Sequence, residues 1–91
     1  FHAPWNIYFG AVTANSIEIL WAGEDANSTG IEILMDSATT PTGYVSQGIV
    51  TAGVYSFTVL NLTPATGFKF KLSATDGSST CESVVVYKST I

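Results

Sequence analysis

From Phe68 to Thr75 apolar and polar residues alternate without a break. Phe68, Phe70, Leu72 and Ala74 fall on one face, and Lys69, Lys71, Ser73 and Thr75 on the other. A strict two-residue period is what a half-buried β-strand requires, because successive side chains point to opposite faces of a sheet. The same period sets Ile17, Ile19 and Trp21 against Glu18 and Leu20, and Ile31, Ile33 and Met35 against Glu32 and Leu34. Strands are therefore predicted over 5–12, 16–22, 31–35 and 44–50, the last weakened by Gln47-Gly48. Three more are predicted over 54–60, with Tyr55, Phe57 and Val59 inward, from Phe68 to Ala74, and over 81–88. Between them lie Thr13-Ala14-Asn15, the polar segment 23–30, the segment 36–43 with Pro41 and Gly43, and Asp76-Gly77-Ser78-Ser79, which reads as a hairpin turn. Turn signals every eight to twelve residues predict an all-β, seven-stranded antiparallel β-sandwich. No internal repeat, linker or helix of useful length interrupts the pattern.

Ninety-one residues suit one domain, 1–91, around one core. Hydrophobic residues make up 46% of the chain and charged residues 11%, against about 25% charge in an average soluble domain. Hydroxyls take the place of charge, since Ser and Thr supply about a quarter of the residues, a composition suited to strands and turns. A net charge of −4 with three Lys and no Arg argues against binding nucleic acid, which needs a basic face, and against docking on anionic lipid. The densest apolar cluster, Val84-Val85-Val86-Tyr87, is far short of the roughly 20 residues of a membrane-spanning helix. No membrane insertion is expected. The chain opens at Phe1 without Met or a charged leader, which reads as a segment removed during secretion or as a piece of a longer protein.

Candidate chemistry is sparse. Cys81 is the one cysteine, so no internal disulfide can form, and His2 is the one histidine, so the usual four-ligand metal site cannot be assembled. Cys81 reads as a small strand hydrophobe or, outside a reducing cytosol, as a partner in an intermolecular disulfide. Nucleophilic catalysis needs a base beside the nucleophile and an orienting group behind it, and the sequence offers no such set. No catalytic, metal-binding or cofactor-binding residue is assigned. Glu24 and Asp25 lack the ligand spacing of a dedicated calcium loop and read as an acidic turn. Two N-x-S/T sequons, at Asn27 and Asn61, fall in predicted turns and are candidate glycan carriers. The run from Ser37 to Thr42 reads as a turn-rich loop or a carrier of O-linked sugar.

Two stretches resemble the fibronectin type III family, and the likeness extends over almost the whole chain. SIEILW, 16–21, is similar to the family's second strand with its core Trp, here Trp21. LTPATGFKFKLSA, 62–74, is similar to its L-x-P-x-T-x-Y-x-F-x-V-x-A signature. The resemblance implies that Leu62 plugs the bottom of the core, that Pro64 fixes a turn between sheets, and that Phe68, Phe70, Leu72 and Ala74 form an inward row. Phe68 departs from the pattern, because the family places there a corner tyrosine whose hydroxyl bonds back to the backbone upstream. A hydrogen bond of about 0.5–1.5 kcal/mol net is thereby lost. Phe68→Tyr is expected to restore it if the acceptor is still free.

Several apolar residues are expected on outer faces. Leu20 and Leu34 fall there by register, the last strand carries Val84 and Val86 on one side with Val85 and Tyr87 on the other, and Phe1, Trp5, Tyr8 and Phe9 make the first strand unusually aromatic. A strand apolar on both faces expects cover on both. These residues are the candidate contacts with copies of the chain or with neighbouring domains. The resulting expectation is a non-catalytic extracellular module or protomer that builds a fibre or surface assembly through sandwich contacts. The alternative is a module that binds protein or carbohydrate through the loops at 23–30, 36–43 and 76–79, with Tyr44 as an exposed stacking aromatic.

Overall fold

The computed structural model describes residues 2–91. Eight strands follow one another: β1 (Trp5–Val12), β2 (Ile17–Gly23), β3 (Gly30–Ser37), β4 (Val45–Thr51), β5 (Ser56–Val59), β6 (Gly67–Thr75), β7 (Thr80–Glu82) and β8 (Val86–Ser89). They form two antiparallel sheets, one ordered β1-β2-β5 and the other β4-β3-β6 with β7 and β8 both paired to β6. All-β composition and the sandwich follow the sequence pattern.

The extra strand comes from a break in the predicted last one. Ala74 pairs with Cys81, but Phe70 pairs with Val86, so the register slips by one residue between β7 and β8. Ser83 sits at the slip. Its N–H donates to the Leu72 carbonyl (2.8 Å) and its Oγ accepts the Leu72 N–H (2.9 Å). A single extra residue reverses which positions face inward, since side chains alternate along a strand. Cys81 faces the core before the bulge and Val86 after it, while Val84 and Val85 are exposed at the bulge itself. The apolar run thus serves two inward registers in turn.

The core is the set that the alternation selects. Ile17, Ile19 and Trp21 of β2 and Val59 of β5 face Ile31 and Ile33 of β3 and Phe68, Phe70, Leu72 and Ala74 of β6, with Leu62 closing one end. Side chains of this size each gain about 1.5–3 kcal/mol on full burial. Ile7, Phe9, Met35, Phe57 and Val86 pack around them. Tyr55 departs from the expectation. It lies before β5 and is exposed, and its carbonyl instead accepts the Trp21 N–H (3.2 Å).

The corner that lacks a tyrosine is tied another way. Thr90, 5% exposed, donates its hydroxyl to the Thr63 carbonyl (2.6 Å) and accepts the Thr66 N–H (3.0 Å), while the Thr90 N–H donates to the Thr66 carbonyl (3.0 Å). The 63–66 turn, with Ala65 at φ 51°, is therefore held by a hydroxyl from beyond β8. This is the kind of side-chain-to-backbone bond that the corner tyrosine makes.

Candidate interaction surfaces

The acidic side chains are used to fold the loops. Asp36, buried at the end of β3, accepts the N–H groups of Ser37 (2.7 Å), Thr42 (3.1 Å) and Gly43 (3.2 Å), with Lys69 Nζ at 3.9 Å. Burial pushes its pKa up, but the three N–H donors and Lys69 outweigh burial and leave the carboxyl below its ordinary value. Asp76 caps the β6–β7 turn by accepting the Ser79 and Ser78 N–H groups, which lower its pKa. Asp25 does the same with the N–H groups of Asn27 and His2, the Asn27 bond being the main cause of its lowered pKa. Glu24 reaches across to the Gly53 N–H (2.6 Å) and so ties the β2–β3 loop to the β4–β5 turn. Among the described residues no three His, Cys, Asp or Glu side chains cluster as metal ligands.

Both sequon asparagines are exposed. Asn27 stands in the β2–β3 loop and Asn61, at φ 60°, in the turn after β5. Tyr44 is not the open aromatic expected from sequence. It is half-buried, with Lys71 Nζ 4.3 Å and Lys69 Nζ 5.3 Å from its ring centre. A cation over a ring face is attracted by the ring quadrupole, so two lysines of β6 lie against the Tyr44 ring. Cys81 is half-buried in β7.

The candidate assembly residues divide into two groups. Phe9 and Val86 pack against the core, with the Phe9 ring 5.8 Å from that of Phe70. Leu20 and Leu34, expected on open faces, are half-buried beneath their neighbours. Trp5, Tyr8 and Val84 remain exposed, Val84 at 74%, and Phe1 lies outside the described residues. Trp5 lies over Gly23, so close that a Cβ there would meet its ring at 2.6 Å.

No family model matches the sequence, and no curated protein matches it. Solved structures match over nearly the whole chain. A two-domain segment of chicken tenascin superposes with a TM-score of 0.85 at 18% identity, covering 99% of this chain and 50% of that one. A three-domain segment of chicken CNTN1 gives 0.85 at 19% identity, covering 97% and 30%. The type III domain of human collagen XX gives 0.84 at 18% identity, covering 97% and 90%. The chain has the fibronectin type III fold. At these identities the likeness concerns architecture, and function has to come from the surface.

On this fibronectin type III-like sandwich, one flank has a property that strand-by-strand reading missed. The 32 residues from Ser37 to Phe68 contain no Asp, Glu, Lys, Arg or His. They build β4 and β5, the edge strands of the two sheets on the same side of the sandwich. The two edges meet where the Phe57 ring lies on Gly48, whose φ of 152° is open to glycine and whose Cβ position is 2.9 Å from the ring. Val45, Ile49, Tyr55 and Leu60 are exposed there, Ile49 at 70%. Beside them a shallow groove of about 250 Å³ is lined by Gln47, Phe57, Thr58, Val59, Leu60 and Asn61. The signal was in the chain all along as an interval between charges, but an interval acquires meaning only when both of its strands prove to be edges.

Proposed function

We propose that this chain is a non-catalytic structural module of an extracellular protein, which contacts copies of itself or neighbouring domains through sandwich surfaces and carries sugar at Asn27 or Asn61. One observation carries the reading. Large apolar side chains stay exposed although the core is filled without them: Trp5 and Tyr8 on the first strand, Val84 and Tyr87 at the last, and Val45 and Ile49 on β4. Exposed apolar surface on a soluble domain, where it gathers into a patch, marks a contact site. The scarcity of charge points the same way, because most carboxylates are already committed to loops and so little charge is left to keep the flanks in water. Structural similarity to domains of tenascin and of a collagen supports a building-block role over an enzymatic one.

Electron microscopy of the purified, untagged chain tests the assembly. Regular filaments with a repeat near the 37 Å long axis of the domain are expected of a protomer that polymerises end to end, whereas dispersed particles transfer the role to contacts between neighbouring modules of a longer chain. Sugar is tested by secreting the chain from a eukaryotic cell and treating it with an amidase specific for N-linked glycans. A mass decrease that disappears in the Asn27→Gln, Asn61→Gln double variant is expected.

A further inference from the structure

We infer that the β4 edge is the self-association surface, and that it pairs with β4 of a second copy about a two-fold axis near Ile49. The inference rests on the assembling-module reading above and specifies its partner and its place. An open edge strand presents unpaired backbone N–H and C=O groups and templates another strand, and natural sheets usually blunt it with Lys, Pro or a bulge. The edge at β7 and β8 is blunted by its bulge and by Glu82 and Lys88, β1 carries Asn6 at φ 54° and a register shift between Phe9 and Val12, and β5 is only four residues long. Strand β4 has a one-residue slip at Gln47 but no charge and no proline, and from Gly48 to Thr51 its ladder to β3 is regular.

The chemistry of the edge selects its occupant. The partner must be an extended strand, to satisfy the backbone, and one without charge suits an edge that carries none of its own, since the carboxylate opposite Ile49, Glu32, lies one strand inward on β3. The chain's own β4 meets both conditions. Directly opposed residues of an antiparallel pair share a face, so a two-fold axis at Ile49 sets Ile49 against Ile49, Gly48 against Val50 and Gln47 against Thr51. Such an interface is isologous and closed. It covers the most exposed apolar residue of the strand and continues the β4-β3-β6 sheet across two copies.

Sedimentation equilibrium on the sugar-free chain, from roughly 10 μM to 1 mM, tests it with Ile49→Lys and Val84→Lys beside the parent. Both positions are exposed, and a melting curve for each variant verifies that it folds. The parent and Val84→Lys are expected to rise from 9.6 kDa towards twice that mass, and Ile49→Lys to stay at one protomer, with at least a tenfold loss of affinity. Association removed by Val84→Lys and not by Ile49→Lys would overturn the β4 inference while leaving an assembling module in place. A parent fixed at one protomer mass throughout would overturn the inference and confine the proposed role to contacts with neighbouring modules.

Discussion

Thr90→Val removes one oxygen from the fold and keeps nearly the same volume, so it isolates the bond that replaces the tyrosine corner. Two backbone groups lose their partners: the Thr66 N–H, bonded at 3.0 Å, and the Thr63 carbonyl, bonded at 2.6 Å. A buried polar group left unsatisfied costs about 1–3 kcal/mol. Thr63 is exposed, so water can take over its carbonyl, whereas Thr66 is half-buried and its N–H bears most of the loss. The expected destabilisation is about 2 kcal/mol, which for a domain of this size lowers Tm by roughly 8–16 °C. Thermal and urea unfolding followed by circular dichroism would measure it, with an unchanged m-value showing that the loss is one of stability. Phe68→Tyr supplies the second arm. In the parent it should change little, because the turn is already held, but in the Thr90→Val background it should recover about 1 kcal/mol. A Thr90→Val variant within about 0.5 kcal/mol of the parent would refute the idea that this hydroxyl ties the corner.

Three further outcomes follow from single features. Trp21, 1% exposed in the middle of the core, should cost about 3–5 kcal/mol on truncation to Ala, and an unchanged melting temperature would show that β2 is not in this register. Gly48→Ala should cost about 1–3 kcal/mol, because φ 152° disfavours a side chain and its Cβ would press on the Phe57 ring; circular dichroism melting is the check. The carboxyls of Asp25, Asp36 and Asp76 are all held below their ordinary values. Their stabilisation is therefore complete above the unfolded carboxyl value of about 3.9 and disappears as pH falls through the lower folded values. Tm should be nearly flat between about pH 7 and pH 5 and drop below about pH 4, with Asp36→Asn showing a shallower acid limb.

Local periodicity alone determined much of this protein. Ile17, Ile19 and Trp21, and likewise Phe68, Phe70, Leu72 and Ala74, were assignable to the core because a strand has only two faces and one of them must leave water. The hairpin at Asp76 was legible for a similar reason, since an Asx side chain closes its own turn within three residues. What the sequence could not decide was set by groups distant in the chain. The bulge at Ser83 depends on Leu72, and it turns an ambiguous valine run into two registers. The Thr90 hydroxyl reaches a turn 24 and 27 residues earlier, and Glu24 holds Gly53 from 29 residues away. Tyr44 is half-buried, with two lysines of β6 against its ring. Nor does any local pattern tell an edge strand from a central one, because that distinction is made by which strands pair. Only when β4 and β5 proved to be the edges of two sheets on one flank did the uncharged interval from Ser37 to Phe68 become a surface.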